Sequence, residues 1–486
     1  MMEWLWFRVT LSVIFGVLLA WEIYRTSKVE SGNGRVSVEH PRYRPYMSPI
    51  ILPCYVLVAA VLLSLEENEY IVQDTIFRVF VIFLHIGVYY IILLAALPYL
   101  RKWVSARVCA ILWVIPNYLY IMTMVPLALS APLLIIPLQG VSVMFLIGIW
   151  LAGFVAVLGW SIFSHLRFRR YVLGKAEAVT DPVILRLWGE IQESTKVLKT
   201  GESSKRYVPI VRADAVKTPL AIGLWRGGMH MVLPKRDYSE EELKMIFQHE
   251  IIHIGREDSW TKFFLVFCTA MCWFNPLMWI AMKRCAEDVE LSCDETVLLG
   301  VEENHRKQYA QLLLKTVGDD RGFTTCLSAT GQAMRYRLKQ VMNFPERRLG
   351  LVTAGLTAMI LFMSCGFLTF SYDYSTGAEV IFEEDQTYQI SKIQTDLLPE
   401  EDIRVDSVED ALYDYMSQLQ VHRLSGDYRV EETAHSLFFT YENPLVRVVL
   451  SDQKLEVFHP HKSTRTEVYY LQQPVDWDEM AALLGQ

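Results

Sequence analysis

Six apolar runs constrain this chain more than anything else in it. They lie at roughly Trp4–Ile23, Ser48–Leu65, Ile76–Leu100, Val108–Leu129, Gly140–Phe163 and Leu349–Phe370. About 20 consecutive apolar residues cross the ~30 Å hydrocarbon core of a bilayer as a helix. The runs therefore predict an α-helical multi-pass membrane protein, with about five spans early in the chain and one late. A hydrophobic content of 52% agrees, against ~45–50% in ordinary soluble domains. The first run reads as a retained span rather than a cleaved signal, because Glu3 precedes it and no small-x-small site follows.

Lys and Arg in short loops set the orientation of such a protein. The loop after the first run holds Arg25, Lys28, Arg35, Arg42 and Arg44, and the next reads EENEY. Arg101, Lys102 and Arg107 follow the third run, the uncharged APLLIIPLQ follows the fourth, and Arg167, Arg169 and Arg170 follow the fifth. This alternation predicts a cell-membrane protein with its N-terminus outside. Leu166–Arg348 is expected in the cytoplasm, with Arg347 and Arg348 on the inner flank of the last span, and the tail outside. That tail, Tyr372–Gln486, carries 8 Lys and Arg against 23 Asp and Glu, a net of −15, which leaves +7 on the rest of the chain. No basic stripe with interleaved aromatics occurs, so direct nucleic-acid binding is not expected. The eight cysteines form no CxxC pair and read as small buried hydrophobes.

The chemistry sits in the cytoplasmic stretch. Ser239 with Glu242 three residues on makes a capping box, and Leu243, Ile246, Phe247, Ile251 and Ile254 recur at helical spacing. On this predicted helix lies His249-Glu250-Ile-Ile-His253. Side chains four apart share a helix face, so both imidazoles can reach one tetrahedral Zn²⁺, with Glu250 beside it as general base. The extended segment Gly228–Pro234 just upstream is the expected edge for a substrate strand; His230 in it reads as an ordinary strand histidine. A third ligand is required, and Glu290 on a helix predicted from Pro276 is assigned to it. Asp294, one turn further, suits a carboxylate that orients a ligand histidine, with His249 its expected partner. Ser259–Met282 is long enough to cross a membrane, but Asn275–Pro276 breaks it and the ligands must share one side. It is therefore expected as a helical hairpin, buried in the cytoplasmic domain or dipping into the inner leaflet.

The runs HEIIHIGRED, CWFNPLMWIAMKRC and ELSCDETVL, with KTPLAIGLWRGGMHMVLP before them and YAQLLLK and LKQVM after, resemble the BlaR/MecR-type integral-membrane zinc metallopeptidases. The resemblance is close over about Val208–Asn343. It implies a gluzincin domain facing the cytoplasm, mostly α with a small sheet, one zinc per chain on His249, His253 and Glu290, and Glu250 as general base. It also implies signalling by regulated proteolysis of the protein itself or of a cytoplasmic regulator such as a repressor. The tail departs from the antibiotic-sensing members: Ser451-Asp-Gln-Lys454 matches SxxK, but no SxN or KTG companion follows. A small α+β domain is expected there, with strands at Ser436–Tyr441, Leu445–Leu450, Lys454–Phe458 and Glu467–Leu471 and helices near Val408–Gln420 and Trp477–Leu484. The expected plan is a membrane domain over 1–165, a peptidase domain over 166–348, a last span over 349–371 and an outer acidic domain over 372–486. The bilayer and a peptide or protein substrate are the expected partners; self-association as a homodimer stays open. A housekeeping membrane protease and a pseudo-enzyme receptor are the competing readings. Too few ionisable residues lie in the spans for a proton-coupled transporter.

Overall fold

The computed structural model describes residues 2–30, 50–124, 132–138, 143–194, 207–224, 228–315, 325–326, 331–343, 350–365, 367–382, 388–398, 405–425, 435–442, 444–461 and 466–485. Arg35, Arg42, Arg44, Arg347 and Arg348, on which part of the orientation argument rests, lie outside these residues.

All six apolar runs contain helix, but they are not six equal spans. Helices α1 (Met2–Glu30), α3 (Glu69–Trp103) and α5 (Val143–Gly174) contain stretches long and apolar enough to cross a membrane. Helices α2 (Ile51–Ser64) and α12 (Leu351–Ser364) have only 14 residues each. Such a helix is about 21 Å long, short of the ~30 Å core. The fourth run is α4 (Ala106–Val114) followed by a 3-10 segment, Ile115–Met124. Every residue of α4 is buried. Irregular backbone is tolerated at membrane depth where protein surrounds it, and this run is encased by its neighbours. Helices α1 and α12 cross closely: a Cβ on Gly16 would stand 2.7 Å from the Gly355 carbonyl oxygen.

The broken stretch is a hairpin, as its Asn-Pro pair predicts. Helix α8 (Asp258–Met271) ends before Asn275, whose side chain accepts the Leu277 amide at 2.9 Å and caps α9 (Pro276–Val297). Pro276 is the first residue of that helix, where its missing N–H is harmless. The hairpin is lodged among the apolar helices. Phe264 and Cys268 of α8, Cys272 just after it, and Met278, Met282 and Cys285 of α9 join one core with α3, α4 and α12. Phe274 meets Phe83 of α3 at 5.1 Å, and Trp150 of α5 donates to the Met271 carbonyl at 2.8 Å. The tip leaves Phe274, Trp279 and Ile280 about half exposed, an apolar surface of the kind a membrane covers.

Two sheets lie at opposite ends of the 32-residue α5. At its C-terminal end, strands β2 (Glu177–Ala178), β3 (Ile210–Arg212), β4 (Leu220–Ile222), β5 (His230–Leu233) and β6 (Thr325–Cys326) are ordered β2-β3-β5-β4-β6. Helices α6 (Pro182–Ser194) and α7 (Glu240–Arg256) share a core with this sheet. Helices α10 (Glu303–Lys315) and α11 (Gly331–Asn343) complete this part. At the other end is an eight-stranded sheet in the order β1-β7-β9-β13-β12-β11-β10-β8. Its strands are β1 (Leu134–Pro137), β7 (Leu368–Thr376), β8 (Gln389–Thr395), β9 (Gln420–Leu424), β10 (Ser436–Glu442), β11 (Val446–Ser451), β12 (Lys454–Phe458) and β13 (Glu467–Leu471). Helices α13 (Gly377–Ile381), α14 (Val405–Gln418) and α15 (Trp477–Leu484) pack with it. The four expected tail strands and both expected helices are present; β7, β8 and β9 are additional. Alternation decides their faces: Leu437, Phe439 and Tyr441 of β10 and Val446, Val448 and Leu450 of β11 are buried, their neighbours less so.

Two features of this sheet correct the expected boundaries. Strand β1 comes from the APLLIIPLQ connection and pairs in parallel with β7, Leu134 opposite Leu368 and Ile136 opposite Phe370. The last apolar run stops being helical at Ser364 and continues as β7, packed on α3 through Phe77 and Val81. The Phe77 and Tyr372 rings stack at 4.1 Å.

Candidate metal centre

Helix α7 begins with the expected capping box: the Glu242 amide donates to Ser239 Oγ at 3.2 Å and the Ser239 amide to Glu242 Oε2 at 2.9 Å. It ends at Glu257, whose φ of 58° is left-handed and turns the chain directly into α8. The apolar side of α7 packs on the sheet, so His249, Glu250 and His253 are fully buried.

The histidine Nε2 atoms face each other at 3.0 Å. Glu290 of α9 places its Oε2 at 3.8 Å from His249 Nε2 and 3.6 Å from His253 Nε2. Its Oε1 accepts from Lys262 Nζ at 2.9 Å, while Oε2 makes no hydrogen bond among the described residues, with Arg337 Nη1 3.6 Å away. Both Nδ1 atoms already have partners. His253 Nδ1 is 2.6 Å from Asp258 Oδ2, and His249 Nδ1 is 2.9 Å from the Tyr309 hydroxyl. A ring that donates from Nδ1 has a free electron pair at Nε2. Two such pairs and an unsatisfied carboxylate oxygen facing one point form an electron-rich buried pocket, which suits Zn²⁺ with its N and O ligands. Ligand-to-ligand spacings of 3.0–3.8 Å match a tetrahedron with bonds of roughly 2.0–2.2 Å.

Electrostatics agree. Burial alone would strip the proton from His249, but the Cys293 sulfur and the Glu290 carboxylate outweigh it and raise its pKa to about 9. Burial would likewise favour neutral Glu290, yet Lys262 and His253 hold it well below the usual carboxylate range. The pocket is set up for positive charge.

Asp294 lies where expected, but its link to His249 is indirect. Its Oδ1 is 3.5 Å from His249 Nδ1, and Tyr309 of α10 bridges the two, donating to that oxygen at 2.7 Å. Arg337 of α11 clasps the carboxylate with Nε on Oδ2 and Nη2 on Oδ1, both at 2.7 Å. Glu250 accepts the Ala221 amide of β4 at 3.1 Å. The strand beside the site is therefore β4 and not the expected Gly228–Pro234, because β5 lies inside the sheet between β3 and β4. His230 is a strand residue whose Nδ1 meets the Gly228 carbonyl at 3.1 Å.

The sequence reading missed Asp258, Lys262, Tyr309, Arg337 and Cys293. Asp258, five residues past His253, was the most accessible, since a left-handed turn there folds it back on its own helix. Lys262, Tyr309 and Arg337 come from three other helices and carry no local signal. Cys293 is no inert hydrophobe: its Sγ is 3.6 Å from His249 Nδ1 and donates to the His249 carbonyl at 3.5 Å. Its sulfur groups with the two histidines within 4.8 Å, so it competes with Glu290 as third ligand. Cys293 approaches His249 on the side of Nδ1, whereas Glu290 Oε2 lies toward the two Nε2 atoms. Cys54, also expected buried, is exposed.

Residues 136–341 match the sequence profile described as BlaR1 peptidase M56. This stretch is similar to BlaR/MecR-type peptidase domains. Regulatory protein BlaR1 of Bacillus licheniformis is 25% identical over 203 residues, 40% of this chain and 32% of that protein. The methicillin resistance mecR1 protein of Staphylococcus aureus is 26% identical over 115 residues, 23% of this chain and 19% of the relative. Regulatory protein BlaR1 of Staphylococcus aureus is 24% identical over 116 residues, 23% of this chain and 20% of the relative. The matches thus span a third or less of these relatives, and the profile-matched residues 136–341 contain all the residues of the pocket.

Proposed function

We propose that the protein is a membrane-embedded zinc endopeptidase that signals by regulated proteolysis, with His249, His253 and Glu290 as zinc ligands and Glu250 as general base. The convergence of two imidazole Nε2 atoms and the Glu290 carboxylate beside Glu250 carries this reading. Bound zinc supplies Lewis acidity to a water and to the scissile carbonyl. Glu250 takes the proton of the attacking water and returns it to the leaving nitrogen. The Ala221 amide holds the Glu250 carboxylate during this exchange, while Asp258 and Tyr309 keep the two imidazoles aimed. Strand β4 runs past Glu250, and a substrate segment would pair with it antiparallel in the place that β6 takes.

A specific observation favours the chain itself as one substrate. Strand β6 pairs antiparallel with β4, Leu220 opposite Cys326 and Ala221 opposite Thr325, at the residue whose amide binds Glu250. A cytoplasmic regulator such as a repressor would bind along the same strand. In this reading 166–348 is the cytoplasmic peptidase domain, 1–165 and 349–371 hold the bilayer, and 372–486 is an outer sensor without serine-acylation residues. A quality-control protease would use the same centre, whereas a pseudo-enzyme has no need of Glu250 in this position.

The test is metal analysis with mass spectrometry for self-cleavage. Wild type should hold one zinc per chain, and His253→Ala should lose it. Glu250→Gln should keep zinc and lose ~10²–10⁴-fold in cleavage rate, as when a general base is removed. Full zinc in His253→Ala, or wild-type cleavage by Glu250→Gln, would refute the assignment.

A further inference from the structure

We propose that Tyr309 and Arg337 are positioning residues of the metal centre: with Asp294 they form a relay that keeps the hydrogen of His249 on Nδ1 and leaves Nε2 free to bind metal. This rests on reading His249 as a ligand.

The argument is an accounting of hydrogens around Nδ1. Among the described residues three groups stand there: the Tyr309 hydroxyl at 2.9 Å, Asp294 Oδ1 at 3.5 Å and Cys293 Sγ at 3.6 Å. A phenol has one hydrogen to give. Tyr309 gives it to Asp294 Oδ1, at 2.7 Å, because a carboxylate is the stronger acceptor. Its oxygen then faces Nδ1 only as an acceptor. Asp294 stands as an acceptor: Arg337 donates to both of its oxygens in a two-pronged contact, and Tyr309 donates to Oδ1 as well. Cys293 offers Nδ1 no hydrogen in either state: as a thiol it donates to the His249 carbonyl, and as a thiolate it has none. Every neighbour of Nδ1 is therefore an acceptor, and the imidazole hydrogen belongs on that atom.

The 3.5 Å separation shows that Asp294 does not hold His249 directly, because useful N–H···O bonds lie at 2.7–3.2 Å. His253 differs, with its own carboxylate, Asp258, in direct contact at 2.6 Å. The relay is sealed from solvent: Tyr309 and Arg337 are each 2% exposed and Asp294 1%. Its members come from α7, α9, α10 and α11, so the orientation of one ligand depends on helices far apart in sequence.

The experiment uses full-length protein in detergent. Zinc affinity is measured by competition with a chromophoric chelator for wild type, Tyr309→Phe, Arg337→Lys, Arg337→Gln and His249→Ala. Tyr309→Phe and Arg337→Gln should bind zinc ~10–100-fold more weakly, the range for outer-shell partners of metal ligands. Arg337→Lys keeps the charge but not the fork and should fall between. A second readout is the ¹⁵N spectrum of histidine-labelled, zinc-loaded wild type, assigned with His249→Ala. His249 should carry hydrogen on Nδ1 and metal on Nε2, and its N–H signal should shift in Tyr309→Phe, which a purely structural tyrosine would not cause. Zinc found on Nδ1 of His249, or unchanged affinity in both Tyr309→Phe and Arg337→Gln, would overturn the relay. Wild-type zinc affinity in His249→Ala would instead overturn the ligand assignment on which the relay rests.

Discussion

His249 and His253 sit four residues apart on one helix, yet they are held by different means. His253 is braced by Asp258 within its own helix–turn–helix, whereas His249 depends on three other helices. Both rings keep their protons more strongly than ordinary histidines when no metal is bound: His249 is raised to about 9 and His253 well above its usual value, despite burial, by Cys293 and Glu290. Zinc requires the neutral ring, so protons compete with metal. The sign follows. Below the raised pKa the rings are charged and each must release a proton, so zinc affinity falls as pH falls; it should rise steeply from pH 6 to about 9. Chelator competition across this range checks it. A flat profile above pH 7 would mean that the rings are already neutral there and that the pocket holds less negative charge than the geometry implies.

At the scale of elements, the crossing of α1 and α12 is decided by two glycines. A Cβ on Gly16 would meet the Gly355 carbonyl oxygen at 2.7 Å, and backbone cannot swing aside as a side chain can. Gly16→Val should force the helices apart and cost ~1–3 kcal/mol, as overpacking does. Gly159 of α5 has nothing within 4 Å of its Cβ direction, so Gly159→Ala should be neutral or slightly stabilising. Thermal unfolding in detergent compares the two; equal midpoints would show that the α1–α12 contact is looser than drawn. The α8–α9 hairpin illustrates the opposite case, in which a break is useful. Asn275–Pro276 stops α8 short of crossing, so α9 returns to present Glu290 and Asp294 to the helix that bears the histidines.

For the whole molecule the decisive relation is that the two sheets sit at opposite ends of α5. One sheet adjoins the candidate metal centre. The other takes β1 from the connection that leads into α5 and β7 from the chain that leaves α12, so it grips two routes into the helical bundle. If the bundle crosses the membrane, the sheets face opposite compartments. Single cysteines at Gln453 in the tail sheet and Lys217 beside the peptidase sheet, both exposed, test this in a background lacking the exposed Cys54. With a membrane-impermeant thiol reagent on intact cells, Gln453→Cys should label and Lys217→Cys only after permeabilisation. Labelling of both on intact cells would remove the basis for a transmembrane receptor.

What the sequence determined by itself was whatever rests on local periodicity and short-range chemistry. The capping box at Ser239, the HExxH spacing, the Asn-Pro break and the alternating tail strands each need only a few neighbouring residues, and each stands in the structure where it was read; the apolar runs contain helix, but among the described residues only three of the helices are long enough to span. The tertiary structure decided what depends on distant segments meeting. It made α2 and α12 short, because α12 gives way to β7 once α3 offers Phe77 and Val81 as a surface. It placed β1 in the tail sheet, since a lone edge strand has no pattern that names its partner. It assigned the strand beside Glu250 to β4, because strand order does not follow chain order. It also drew Lys262, Tyr309 and Arg337 to the candidate metal centre from three helices. Single residues with one long-range contact each leave no periodicity to read, and a buried pocket needs such contacts to balance its charge.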